Sequence, residues 1–220
     1  MALVGSDRSA RNGDIVNKVG TYPLALMAKE YGIPFYALVQ DPGNLPTGRH
    51  VPIEERPVAE LIQFQGRSIA PEGIRGRYPA FDVTPAELLT RMIMYDGVFT
   101  PETFREKFEQ GAPTEEAHVR EPKKLILIFG IPRSDDYAQL SHALKDEQAE
   151  SMLVPEIRPH LWGAQHLAQE LYRRDIPVTL ISDNMTGTFF AQGAIRRVYL
   201  FHQGLNEEGP VAICGSLLAA

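Results

Sequence analysis

The chain has 220 residues, of which 44% are hydrophobic and 23% are charged, and its formal net charge is −6. This composition predicts a soluble globular protein of one large or two small domains. It argues against a nucleic-acid-binding surface, which needs clustered lysines and arginines. No apolar run approaches the roughly 20 residues that a membrane-spanning helix requires. The single cysteine, Cys214, excludes an internal disulfide framework and fits a reducing cytoplasm.

The opening stretch, residues 3 to 26, predicts a short strand, a polar turn and an apolar helix that begins near Gly20. In α/β proteins the loops that follow buried strands expose the side chains that do chemistry. Asp7 and Lys18, which both lie in this turn, are therefore the first candidates. Each also has an ordinary structural interpretation: Asp7 could pair with Arg8 or cap the turn, and Lys18 could be a solvated loop charge.

The rest of the first half predicts alternating elements around one long irregular stretch. The predicted elements are a helix over 22–31, a strand over 33–39, a helix over 82–95 with Thr84 as its N-cap, and a short helix over 101–110. Residues 41 to 82 are rich in proline and glycine, and a stretch of this length usually shapes a site or an interface.

The second half repeats the alternation more regularly. Strands are predicted over 125–131, 151–155, 176–182 and 195–201, and helices over 135–147, 160–174 and 186–192, before a loop and the start of an apolar helix. This order implies βαβ crossovers and a mostly parallel sheet with helices on both faces. We divide the chain into an α/β segment over 1–110, a linker over 111–124 and a second α/β segment over 125–220.

Three motifs carry a resemblance to a known family. The strings GSDRSARNGDIVNKVGTY, VPIEERPVAEL and IAPEGIRGRYPAFDVTPAELL cover most of residues 3 to 99. They resemble the methylthioribose-1-phosphate isomerase family, whose superfamily also holds ribose-1,5-bisphosphate isomerases and the regulatory subunits of eukaryotic translation initiation factor 2B. The strings PEIRPHLWGAQHLAQEL and IPVTLISDNM are similar to an earlier part of the same Rossmann-like domain. The order of the two halves therefore indicates either a circular permutation of that domain or the end of one domain copy followed by the start of a second.

The end of the chain also resembles an internal repeat of its opening stretch. Residues 199 to 219 read as a degraded copy in which Gly215 matches Gly20. Asn17 and Lys18 fall opposite Ala212 and Ile213, so the charged groups survive only in the first copy.

The resemblance implies an aldose–ketose isomerase of a phosphorylated sugar. The histidines show no metal-ligand spacing and the sequence has no glycine-rich nucleotide-binding motif, so we expect neither a metal nor another cofactor. Asp7 occupies the position of the family's acid–base aspartate, and Asn17 and Lys18 match an Asn-Lys pair that lies against the substrate. Gly5 and Arg8, from the same motif, are further substrate-binding candidates. The family also implies a homodimer or a complex with a related subunit.

Asp183 is a secondary site candidate for a different reason. It follows the predicted strand 176–182, and α/β sheets bind ligands at the carboxyl ends of their strands.

The chain departs from the family in the second half. The family pairs its aspartate with a cysteine, but the corresponding loop reads GIPRSDD, and Trp162 stands where the family has a glutamine. Cys214 aligns with Val19 at an apolar helix start and cannot take that role. These departures keep open an alternative, a non-catalytic regulatory or assembly subunit that binds a phosphometabolite or a partner subunit.

Overall fold

The computed structural model describes residues 1–108, 124–207 and 209–212. The chain divides into two compact units, and both are interrupted in sequence. The first unit consists of Met1–Glu54 with Pro79–Val119, and the second unit consists of Glu55–Tyr78 with Arg120–Ala220.

The secondary structure is dominated by short strands. In chain order the strands are β1 Ala2–Val4, β2 Arg8–Ser9, β3 Ile15–Lys18, β4 Phe35–Leu38, β5 Gln63–Phe64, β6 Arg67–Ser68, β7 Arg75–Gly76, β8 Phe81–Thr84, β9 Arg91–Met94, β10 Gly97–Phe99, β11 Leu125–Phe129, β12 Ser151–Pro155, β13 Val178–Ile181, β14 Ile195–Leu200, β15 His202–Asn206 and β16 Gly209–Ala212.

The α-helices are α1 Thr21–Glu30, α2 Ala59–Ile62, α3 Pro101–Phe108, α4 Asp136–Asp146, α5 Ala168–Arg173 and α6 Thr186–Ala191. Short 3-10 helices lie at Gly48–His50, Ala86–Leu88 and Asp183–Met185, and a π-helical turn at Gly163–Leu167 precedes α5. In the described parts of the chain, no helix is both long enough and apolar enough to cross a membrane.

The first unit is built on a four-stranded sheet in the order β1-β4-β9-β10, in which only β10 is antiparallel to its neighbour. Successive strand residues point to opposite faces. Phe35 and Met92 therefore share one face, where they are buried with Phe104 of α3. The opposite face is open, since Leu3 is 52% exposed and Leu38 is 48% exposed.

A smaller antiparallel sheet, β2-β3-β8, occupies most of the segment predicted as a polar turn. Arg8 is the register partner of Val16, and Val16 is in turn the partner of Val83. The side chains of this segment are therefore held by a three-stranded ladder, so the predicted polar turn is wrong. The helix predicted to begin near Gly20 is confirmed, since α1 begins at Thr21.

The predicted helix over 82–95 is wrong. Phe81–Thr84 forms β8 and Arg91–Met94 forms β9, with the 3-10 helix Ala86–Leu88 between them. The capping signals at Thr84 and Pro85 favour a helix locally, but β8 pairs with β3 and β9 pairs with β4. Pairing with distant strands outweighs a local helix preference, which is worth less than 1 kcal/mol per residue.

The second unit is built on a parallel five-stranded sheet in the order β14-β11-β12-β13-β7. Consecutive residues of the central strands are fully buried, as Ile126 and Leu127 in β11 and Met152 and Leu153 in β12 show. Burial on both faces is typical of parallel sheets. The α/β class with parallel sheets is therefore confirmed.

Two parts of the second unit differ from the sequence prediction. Glu55–Tyr78, which falls within the predicted segment 1–110, belongs to this unit because β7 extends the edge of its sheet beside β13. The stretch after β14 forms the hairpin β15–β16, just as the hairpin β2–β3 follows β1. The linker over 111–124, apart from Lys124, and the apolar helix start after Ala212 lie outside the described residues.

Candidate functional site

A cavity of the first unit lies beside the β2–β3 hairpin and has a volume of about 620 Å³. Its charged or titratable lining residues come from two segments, the hairpin and the loop after β4. They are Asp7, Arg8, Asp41, His50 and Glu54. Apolar side chains complete the wall, among them Val16 and Phe81. A polar rim over an apolar wall is the usual character of a small-molecule site.

Backbone and side-chain hydrogen bonds fix the position of Asp7. Its backbone N–H donates to the Val16 carbonyl at 2.9 Å, and its carbonyl accepts from Gln40 Nε2 at 2.7 Å. Ser6 Oγ lies 3.1 Å from the other polar atom of that amide, Gln40 Oε1. The Asp7 side chain is exposed. The structure thus leaves the Asp7 carboxylate accessible at the edge of the cavity.

Asn17 and Lys18 lie next to the cavity without lining it. Asn17 Nδ2 donates to Thr21 Oγ1 at 3.0 Å, and that hydroxyl donates to the Lys18 carbonyl at 2.8 Å. Lys18 Nζ sits 4.7 Å from the ring centroid of Phe81, which does line the cavity. Gly5 is exposed just after β1, and a Cβ added there would meet no atom within 4 Å.

Asp82 is buried beneath this region, with 2% of its surface exposed. Its carboxylate accepts from the Gly20 N–H at 2.6 Å and from the Tyr22 N–H at 3.1 Å, so it caps the start of α1 from a distant strand. Burial raises the pKa of Asp82 to about 6, although these backbone hydrogen bonds favour the ionised form. Desolvation outweighs the hydrogen bonds because the carboxylate is almost entirely removed from water.

A second buried carboxylate, Asp14, joins the hairpin to two later segments. One oxygen accepts from the Gly48 N–H and the other from the Ala86 N–H, both at 3.2 Å. A Cβ at Gly48 would lie 2.5 Å from Val83 Cγ1, so the turn packs directly on β8. The loop that contributes His50 to the cavity is therefore anchored to the same sheet that carries Asp7.

Sequence reasoning missed three cavity residues, Gln40, Asp41 and His50. All three come from the loop after β4, at or just inside the long proline- and glycine-rich stretch that was expected to shape a site. That stretch was the available signal, but composition alone does not indicate which of its side chains face the cavity.

Asp183 belongs to the second unit, where it lines a separate cavity of about 340 Å³. Its two carboxylate oxygens accept from the backbone N–H groups of Ile157 and Arg158 at 2.7 and 2.8 Å. Burial raises the pKa of neighbouring Glu156, while its ion pair with Arg158 at 2.8 Å opposes that shift. The two carboxylates hold the loop after β12 in place.

In the part of the chain that the structure describes, no group of three or more histidine, cysteine, aspartate or glutamate side chains is placed to hold a metal ion.

Comparison with known proteins gives consistent matches. The model of the initiation factor 2 subunit family matches residues 1–101 and 123–212. The methylthioribose-1-phosphate isomerase of Desulforudis audaxviator is 52% identical over 104 residues, which are 46% of this chain and 30% of that protein. The enzyme of the same name from Thermus thermophilus is 52% identical over 103 residues, 45% of this chain and 31% of that protein.

Among solved structures, the 5-methylthioribose 1-phosphate isomerase of Pyrococcus horikoshii shares 42% identity, covers 49% of this chain and 31% of its own, and has a TM-score of 0.44. The chain therefore spans less than a third of the length of the relatives it matches.

Proposed function

We propose that the chain, which belongs to the initiation factor 2 subunit family, is an aldose–ketose isomerase of a phosphorylated sugar, most like methylthioribose-1-phosphate isomerase. The observation that carries the proposal is the cavity of the first unit, which is lined by both Asp7 and Arg8. These residues lie within residues 1–101, which the family model matches, and nearly half of the chain is about half identical to proteins of that name.

We assign a role to each residue of the motif. Asp7 is the acid–base group, and its exposed carboxylate can reach a sugar hydroxyl in the cavity. Arg8, which lines the cavity, and Lys18, beside Phe81, supply positive charge for the phosphate or a developing oxyanion. Asn17 contacts a sugar hydroxyl, and the open space at Gly5 lets the ligand approach the backbone. In the second unit, Asp183 is a candidate ligand contact of its own cavity.

Incubation with methylthioribose 1-phosphate tests the proposal. Proton and phosphorus NMR should show the ketose phosphate accumulating, and Asp7→Asn should reduce the rate by about 100-fold or more because the acid–base group is lost. Asp175→Asn is the matched control, since Asp175 is exposed and its left-handed backbone, φ 53°, suits asparagine. Absence of product with the wild-type chain would refute an isomerase.

The alternative is a non-catalytic regulatory or assembly subunit, which the loop GIPRSDD favours because it contains no cysteine. Under this alternative the chain binds the sugar phosphate or a partner subunit without converting it. Calorimetry with methylthioribose 1-phosphate, run beside the turnover assay, separates the two: heat of binding without product supports the regulatory subunit.

We propose that the chain associates with a second copy or with a related subunit. The exposed face of the first unit's sheet, with Leu3 and Leu38, supports this because parallel sheets are normally covered on both faces. Sedimentation of wild type and Leu38→Lys tests it, and a dimer that persists in the variant would exclude this face.

One cysteine in 220 residues suits a reducing compartment, and we place the chain in the cytoplasm.

A further inference from the structure

Isomerisation of a sugar 1-phosphate to the ketose 1-phosphate moves two protons besides the hydrogen that passes from C2 to C1. The hydroxyl on C2 loses its proton as the C2 carbonyl forms, and the ring oxygen gains a proton as its bond to C1 breaks. The atoms and electrons balance without an oxidant or a reductant. A site for this reaction therefore needs one proton acceptor and one proton donor.

The cavity of the first unit contains a suitable second group. Besides Asp7, its titratable or charged lining residues are Arg8, Asp41, His50 and Glu54. Guanidinium does not give up its proton in proteins, and carboxylates are poor proton donors near neutral pH. Imidazole is the side chain suited to donate a proton there.

Hydrogen bonds fix the ring and the backbone of His50, as an acid–base residue requires. Its Nδ1 lies 2.8 Å from Thr47 Oγ1, and its backbone N–H donates to the Thr47 carbonyl at 3.1 Å. The turn between them is pinned through Gly48, whose N–H donates to the buried Asp14. With Nδ1 occupied by the threonine hydroxyl, Nε2 is the ring nitrogen left to exchange a proton with a ligand.

We propose that His50 is the second acid–base residue of this site, with Nε2–H protonating the ring oxygen while the Asp7 carboxylate accepts the proton of the C2 hydroxyl. The proposal rests on the proposed isomerase function and names the residue that supplies its second proton transfer. Nδ1–H keeps its hydrogen bond to Thr47 Oγ1 before and after the transfer, so the ring does not need to turn.

Several charged groups surround His50. Asp7, Asp41 and Glu54 carry negative charge around the same cavity, and Arg8 carries positive charge. Asp14 lies behind the turn, and Arg49 is the neighbouring residue in the chain.

His50→Gln tests the proposal, with His142→Gln on an exposed position of α4 as the matched control. Glutamine is similar in size, but its amide is not acidic and cannot protonate the ring oxygen. We expect kcat of His50→Gln to fall by about 100-fold or more, with substrate affinity changed by less than about threefold. The wild-type rate should decline as the pH rises through the range where imidazole loses its proton, and the variant should lack this decline.

Thr47→Val provides a second test that keeps the imidazole in place. We expect it to displace the neutral-pH limb of the rate profile and to reduce kcat less than His50→Gln does, because only the orientation of the ring is lost. Circular dichroism melts of all variants show whether they fold.

The outcomes separate the two proposals. Wild-type turnover together with a His50→Gln rate within about threefold of it would overturn the role of His50 and leave the isomerase intact. No wild-type turnover at all would overturn the isomerase function and the role of His50 with it.

Discussion

Three aspartates around the first unit's hairpin have different environments, and the environment decides what each can do. Asp7 is exposed at the cavity, whereas Asp14 and Asp82 are buried and accept hydrogen bonds from backbone N–H groups. A buried carboxylate that is fully engaged with the backbone holds structure together, while an accessible one can exchange a proton with a ligand. This difference is the reason why we propose Asp7, rather than Asp14 or Asp82, as the acid–base group.

Asp82 makes the stability of the first unit depend on pH. Burial raises its pKa from 3.8 to about 6, so the native state holds the proton more tightly than the unfolded chain does. Its contribution is then full below the unfolded value and is lost as the pH rises through about 6. Between pH 4 and pH 7 the stability of the wild type relative to Asp82→Asn should fall by about 3 kcal/mol at most. Urea titrations at several pH values measure this, and a constant difference would contradict it.

Asp14→Asn should loosen the turn that carries His50. Both Asp14 oxygens accept from backbone N–H groups. Asparagine replaces one of these oxygens with an amide NH2 group, so that a donor faces the backbone N–H donor. We expect a loss of about 1–3 kcal/mol in the free energy of unfolding, measured by urea titration. Asp41→Asn is the control, because Asp41 is exposed and accepts only locally from Gly43, and it should stay within about 0.5 kcal/mol.

The sequence indicates Asp7 and Arg8 as site residues because they belong to a short contiguous motif after a strand. It does not indicate the structural roles of Asp14 and Asp82, since their partners lie far away in the chain. Nor does it indicate that His50 lines the cavity, since the turn that carries His50 is fixed by the hydrogen bond from Gly48 to Asp14, 34 positions away. The Asp82–Gly20 contact spans 62 positions and the Asp14–Ala86 contact spans 72. Contacts of this kind exist only once the sheets have formed.

At the scale of elements, the predictions succeed where local pattern and tertiary pairing agree. The strand Ser151–Pro155 has the predicted bounds because every residue in it is apolar or buried in a parallel sheet. The helix over 82–95 fails because its capping signals compete with strands β3 and β4 for the same residues. The leucines and methionines of this segment can be buried either on one face of a helix or on one face of two short strands. The periodicity of the apolar residues alone therefore does not decide between the two structures.

Gly163 shows how one residue allows an element to pack. The π-helical turn begins there against the end of β12, and a Cβ at Gly163 would lie 1.8 Å from the Pro155 carbonyl oxygen. Gly163→Ala must therefore push the turn away from the strand, and we expect a loss of about 1–3 kcal/mol, seen as a lower midpoint in circular dichroism melts.

Gly204→Ala is the matched control for this substitution. A Cβ at Gly204 meets no atom within 4 Å, and the residue lies in the same unit. Equal melting temperatures for the two alanine variants would show that the close approach at Gly163 does not matter.

At the scale of the whole molecule, residues 1–108, 124–207 and 209–212 contain two hydrophobic cores that share no residues. The core of the first unit includes Phe104, and the core of the second includes Leu140, with 0% and 1% of their surfaces exposed. Each sheet belongs entirely to one unit. Separate cores allow separate unfolding transitions, so one free energy of unfolding need not describe the chain.

The single tryptophan makes this testable, because Trp162 lies in the second unit and its fluorescence reports on that unit alone. Leu140→Ala should lower the urea midpoint of the fluorescence transition by removing about 2–5 kcal/mol of stability from that core. Phe104→Ala should cost the first core about 3–5 kcal/mol, shifting part of the circular dichroism signal while the fluorescence midpoint stays in place. Equal shifts of the fluorescence transition in both variants would mean that the two cores unfold together.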